Sequence, residues 1–247
     1  FDGATFEWDS DATGATSTRA TIIANCPTAS MQTLVSTPDR HLIAFGTETT
    51  IGTTSTQDDM YIRWSDQESI NATTSWTPSA TNTAGTQRLA DGTRIVAAIR
   101  GRDAIYVWTD TSLFIMRFVG APFVFSFQQV GTNCGLIGKN AAVEVDGSAY
   151  WMSENGFFRY TGKLESLACL VEDYVYDDIN TVPKQHIYAG LNNLFGEVSW
   201  FYPGSGAASN NRSVTYNYMD STPERPVWTT SSLARSTWSD SHIFGKP

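Results

Sequence analysis

Cysteine, histidine and basic charge are all scarce in this chain, and each shortage argues against a class of protein. The three cysteines, Cys26, Cys134 and Cys169, form no CxxC pair and are odd in number. A disulfide framework is therefore not expected, and reduced, buried thiols of the kind a cytoplasm maintains are. The three histidines, His41, His186 and His242, stand alone, without HExxH or any pair at metal-ligand spacing. Lys and Arg together number 16 against 25 Asp and Glu, for a net charge of −9. That balance speaks against a protein that grips nucleic acid through a basic surface, yet an acidic wall beside DNA would let the polymer pass without sticking. No apolar run approaches the length of a membrane span, and no basic-then-apolar signal opens the sequence. The first residue is Phe1 and not Met, as expected of a fragment or a processed product.

What the chain has is aromatic residues, 13% of the total, and 19 glycines, with charged residues at only 17%. Such a composition belongs to a folded, β-rich protein. Its organising stretch is 103–130, DAIYVWTDTSLFIMRFVGAPFVFSFQQV, in which three apolar runs are separated by turn signals and read as three successive strands. The same grammar returns at 146–167, where 149–152, the turn 153–156, the run 157–160 and the break 161–163 follow in order. Trp108-Thr109-Asp110 and Met152-Ser153-Glu154 lie 44 residues apart (153 − 109), and Trp64-Ser65-Asp66 lies another 44 upstream (109 − 65). Short strands recurring at a period of about 40 to 50 residues are the signature of propeller blades. A looser fourth unit follows, with strands at 195–202 and 213–218. The fold expected is all-β: a propeller-like array of antiparallel blades over residues 39–247, with 1–38 as a lead-in of strand and loops. A β-sandwich with similar hairpins is the competing arrangement. If the repeat is real, Trp64, Trp108 and Trp151 should occupy similar places in consecutive blades.

Taken in order, 9–14 resembles the start of a calcium loop, but its twelfth position is Ala20 where a bidentate Glu is needed, so a turn is expected there. Residues 71–90 are rich in Thr, Ser and Asn and read as a long surface excursion, with Trp76 as its packed anchor. The Gly-rich run 131–138 fits neither GxGxxG nor GxxxxGK[ST] and reads as a tight blade-to-blade link. Residues 171–179 are the one helical candidate, with Val171, Tyr174, Val175 and Ile179 on the inner face and Glu172, Asp173, Asp177 and Asp178 as a solvated acidic face. The small and polar run 203–211 reads as an exposed tip.

Nothing in the sequence assembles a catalytic constellation. There is no GxSxG elbow, and the acids Asp66, Asp110 and Glu154 recur once per repeat, which assigns them to turns, since a hydroxyl and an acid there can bind following backbone amides. No catalytic residue, metal ligand or cofactor site is expected, and the chain is read as not an enzyme.

The ordered phrases DRHLIAFG (39–46), YIRWSDQES (61–69), VWTDTSLF (107–114), GLIGKNA (135–141), YWMSENGFFRYTG (150–162) and EVSWFYP (197–203) resemble the propeller-containing tail hub or nozzle proteins of short-tailed bacteriophages, the packaged-DNA stabilisation group. The likeness runs from about Pro38 to the C-terminus. It implies a structural virion protein of the tail, assembled in the host cytoplasm. Copies would form a homo-oligomeric ring around the DNA exit channel, joined to the portal through adaptor subunits and helping to retain and release DNA that passes without sequence-specific binding. Members of that family are usually longer, which leaves closure of the propeller within this chain open. From a different class, a sugar-binding or sugar-cleaving propeller would use exposed aromatic rings and a pair of carboxylates in a cleft.

Overall fold

The computed structural model describes residues 3–8 and 19–239. The calcium-loop-like run 9–14 and His242 lie outside the described residues.

Eighteen short strands build four four-stranded antiparallel sheets and one two-stranded ribbon. The ribbon pairs β1 (Phe6–Glu7) with β2 (Thr21–Ile22). Blade 1 follows as β3 (Ser30–Ser36), β4 (His41–Thr47), β5 (Tyr61–Trp64) and β6 (Gly85–Arg88). Blade 2 is β7 (Ile95–Arg100), β8 (Ile105–Thr109), β9 (Ser112–Gly120) and β10 (Val124–Thr132). Blade 3 is β11 (Ala142–Val145), β12 (Ser148–Ser153), β13 (Gly156–Tyr160) and β14 (Leu164–Leu167). Blade 4 is β15 (Tyr188–Asn192), β16 (Glu197–Tyr202), β17 (Arg212–Asn217) and β18 (Trp228–Ser231). Each blade is a simple meander, and the first strands β3, β7, β11 and β15 pack in succession. The described residues thus form an all-β, propeller-like array of four blades that does not close into a ring among them. The first blade begins at Ser30 and not after Pro38, because β3 pairs with β4 along its length and belongs to the same sheet.

The period-two alternation of strands explains how the blades cohere. In β8, Ile105 and Val107 face blade 1 and pack with Ile43, Phe45 and Ile62, while Tyr106 and Trp108 face blade 3. In β12, Trp151 faces blade 2 and Tyr150 faces blade 4. Trp108 and Trp151 meet edge to face with ring centroids 5.4 Å apart, and Phe158 stacks on Trp151 from the neighbouring strand. On the far side of blade 3, Phe157 packs against Trp200 and Trp228 of blade 4. A blade is a sheet buried on both faces, so its strands carry apolar residues at consecutive positions, as Ile105 to Trp108 do.

That geometry corrects the expected equivalence of the three tryptophans. Trp108 pairs with Leu113 next to its hairpin turn, whereas Trp151 pairs with Phe158 one position further from the equivalent turn. A one-residue offset in a strand reverses the face, so the two rings point toward each other and not in the same direction. Trp64 ends β5, the third strand of its blade, and is equivalent to neither. The counterpart of Thr109-Asp110 and Ser153-Glu154 in blade 1 is Thr47-Glu48, at the end of β4. The 44-residue spacing therefore holds between blades 2 and 3 only. Blade 1 carries long connections at 48–60 and 65–84, and these displace its strands along the sequence.

The excursion 71–90 also contains β6, whose sequence GTQR has no apolar pattern because an edge strand there is exposed beyond its first two residues. Trp76 is the anchor expected: it is buried against Leu42 and Ala44 on the outer face of blade 1, and its indole nitrogen donates to the Ile70 carbonyl at 3.0 Å. The link 131–138 joins blades 2 and 3 tightly. A Cβ on Gly135 would sit 2.2 Å from the Asp110 carbonyl oxygen. Gly135→Ala is accordingly expected to cost about 1 to 3 kcal/mol, since backbone must move to admit the methyl group. A urea midpoint equal to that of the parent protein would contradict this packing.

Candidate functional site

The turn acids are occupied in holding the framework. Asp66 accepts from the Thr83 amide at 2.8 Å, the Thr83 hydroxyl at 2.6 Å and the Gln67 amide at 3.0 Å. Asp110 accepts from the Thr93 amide at 2.8 Å and from the Thr93 hydroxyl. Glu154 pairs with Lys184 on the surface at 2.8 Å. The partner hydroxyls close their own hairpins: Thr109 Oγ1 accepts from the Ser112 amide at 2.9 Å and Ser153 Oγ from the Asn155 amide at 3.4 Å. Asp66 and Asp110 reach further than expected, each tying down a segment distant in sequence.

Burial alone would raise the Asp66 and Asp110 carboxyls, but the hydrogen bonds from Thr83 and Gln67, and from Thr93 and Arg94, outweigh it and hold both below the usual range. A depressed folded-state pKa contributes stability that is fully present above the unfolded value of about 3.9 and is lost as pH falls through the folded value. The double variant D66N/D110N should therefore be less stable than the parent at pH 7, with the gap narrowing below about pH 4. Urea midpoints at pH 7 and pH 3 measure it, and a gap that does not change with pH would refute the assignment.

The helical candidate forms α1 (Glu172–Asp178). Val175 is buried as expected, but Tyr174 points to solvent and Tyr176 turns inward, donating to the Ser153 and Gly156 carbonyls at 2.7 and 3.0 Å. A helix of about two turns packed on the hairpin of blade 3 selects the side chain that finds buried carbonyls over the one that keeps ideal helical spacing. Of its acids, Asp178 pairs with Arg212 at 2.9 Å. Among the described residues no group of three or more His, Cys, Asp or Glu comes together to hold a metal ion, and no helix is long and apolar enough to cross a membrane. The three thiols are free, and burial pushes each up to about 11.

Three surface features remain. One is apolar. In a meander the turns after the first and third strands fall at one end of a blade, and at that end of blade 2 the hairpin between β9 and β10 exposes Phe118, Val119 and Phe123, the last 77% exposed. At the same end of blade 4, Leu194, Phe195 and Met219 are exposed on two turns tied together by the hydrogen bond from the Tyr218 amide to the Gly196 carbonyl at 2.7 Å. Another is a groove of about 730 Å³ beside β15 of blade 4, between that strand, the loop 203–211 and the segment 234–238. The loop 203–211, expected to be an exposed tip, sends Asn210 inward, where its amide nitrogen donates to the His186 and Arg235 carbonyls at 2.8 and 3.3 Å. A smaller groove of about 280 Å³, between the first turns of blades 1 and 2, contains both Asp39 and Asp103, and Ser36 holds Asp39 at 2.7 Å.

Fold and surface together define an open, four-bladed propeller-like protein whose repeated acids serve its framework. No family model matches the sequence, and no curated protein matches it significantly.

Proposed function

We propose that this chain is a structural subunit of a short phage tail, a hub or nozzle component that lines the route of DNA exit and works by assembly. The observation that carries the reading is the apolar display at the turn end of blades 2 and 4, where Phe123 and Leu194 head patches that none of the described residues covers. Side chains of this size, clustered and exposed, are contact surface for another protein. A closed ring needs a heterologous interface in which one patch meets a different patch on the next copy, and the two apolar tips supply unlike partners. The ordered phrase set of the sequence points to the same class of assembly. The net charge of −9 suits a wall that DNA slides past, since like charge raises the energy of close approach.

The assignment is tested by sedimentation of the purified chain with and without portal and adaptor subunits, followed by imaging of the particle. Ring-sized species that dissociate in Phe123→Asp and Leu194→Asp, and density on the tail axis, are the expected results. A protein that stays monomeric with every tail partner, or one located away from the channel, would overturn the assignment.

A further inference from the structure

The groove on blade 4 holds polar atoms that the protein itself leaves without partners. Asn210 is only 9% exposed, and both hydrogens of its amide nitrogen are committed to the His186 and Arg235 carbonyls, which fixes the orientation of the group. Its Oδ1 is left buried with no hydrogen-bond partner, and so is the hydroxyl of Tyr188. A buried polar atom of this kind is costly unless something pairs with it. His186 adds a third group. Its Nδ1 donates to the Ala208 carbonyl oxygen at 3.0 Å, which fixes the ring beside the groove. Alongside stand two aromatic surfaces, Tyr188 and Trp238. Trp238 is pressed against Phe201, with ring centroids 5.7 Å apart, and against Gly190, where a Cβ would approach the indole to 2.8 Å. Its indole nitrogen donates to the Leu191 carbonyl at 2.7 Å, which anchors one end of the segment 234–238.

From this arrangement we infer that the groove is a saccharide-binding site. A buried acceptor and a hydroxyl in one cleft call for a ligand that brings hydrogen-bond donors, and half-exposed aromatic rings beside them call for one that also presents an apolar face. A pyranose offers both, with hydroxyls around its rim and C–H groups on its faces. The segment 234–238 lines the groove together with Asn210 and Tyr188, and a sugar that reaches their buried oxygens displaces it by breaking the long bond from Asn210 to the Arg235 carbonyl. Binding and movement of Trp238 are then one event. This site is independent of the assembly surface, which lies on the turns of blades 2 and 4.

The experiment titrates the full chain with maltohexaose, chitohexaose and hexagalacturonate by calorimetry and by tryptophan fluorescence, each up to about 5 mM. At least one should bind and change the emission, with an affinity about tenfold lower in Tyr188→Phe, which removes one oxygen and keeps the packed ring. Trp238→Ala should abolish the fluorescence response. The site is refuted if none of the three binds, if glycerol at equal hydroxyl concentration competes, or if Tyr188→Phe binds as the parent does, whatever the Trp238 variant shows.

Discussion

Trp108→Ala should destabilise the protein by about 3 to 5 kcal/mol, the range for emptying a fully buried indole site. Trp108 is 0% exposed and fills the space between blades 2 and 3, against Trp151 and Tyr106. Its indole nitrogen has no hydrogen-bond partner, so the loss is one of packing alone. Trp108→Phe, which keeps most of the volume and discards only that idle group, should cost far less. Phe158→Ala, on a half-buried ring stacked over Trp151, should fall between the two. Asp110→Ala should fall well below Trp108→Ala at neutral pH, because its carboxylate is half-exposed and serves a surface turn. Denaturant midpoints give the order directly. Equal midpoints for Trp108→Ala and Asp110→Ala would mean that the blades are not held by their facing aromatic residues.

The second large effect is expected at Arg63. This side chain is 5% exposed on the outer face of blade 1, where its guanidinium donates to the Trp76 carbonyl at 2.8 Å and the Thr49 carbonyl at 2.7 Å and lies over the Tyr61 ring at 5.6 Å. Burial lowers its pKa, and Tyr61 and Glu48 oppose that shift. Glu48 is itself fully buried, held by the Thr28 hydroxyl and the Gly52 amide at 2.7 Å. Arg63→Ala strands the buried carbonyls of Trp76, Thr49 and Glu48, each worth about 1 to 3 kcal/mol when left without a partner, for a cost of about 3 to 5 kcal/mol. Arg63→Lys should restore little, because one ammonium cannot span both loops as the planar fork does. Arg88→Ala, at an exposed pair with Asp58, should cost no more than about 1 kcal/mol. If Arg63→Ala matched Arg88→Ala, the two long loops of blade 1 would be held by something other than this side chain.

How much of this was legible depends on how compact each unit is. In blades 2 and 3 the second and third strands are joined by two-residue turns, so Thr109-Asp110 and Ser153-Glu154 stand out at one spacing and reveal the repeat. In blade 1 thirteen residues, 48–60, separate β4 from β5, and a superficially similar Trp-Ser-Asp at the end of the third strand attracted the match. The direction of each tryptophan was not legible, because a period of two makes a single-residue error a reversal of face. The groove was less visible still. Asn140, His186, Asn210 and Trp238 come from four separate connections and share no local pattern, and Asn210 sat in a run whose composition signals exposure. Only its arrangement of satisfied and unsatisfied amide atoms reveals it.

Gln32 of β3 ties blade 1 to the innermost strand of blade 2. Its side-chain amide donates to the Ala98 carbonyl at 2.6 Å and accepts from the Ala98 amide at 2.9 Å, so a single glutamine of blade 1 pairs with β7 as a short piece of strand would. At the other end of the array the Asn140 carbonyl accepts from the Ala189 amide at 2.8 Å, giving β15 a comparable cover. Innermost strands with free edges are templates for stray β-pairing between molecules. An open array has more to fear from this than a closed one, since its inner edges are not all shielded by neighbours. Gln32 therefore covers an inner edge as well as linking two blades, and a carboxylate in its place, as in Gln32→Glu, would set a negative oxygen against the Ala98 carbonyl and uncover that edge.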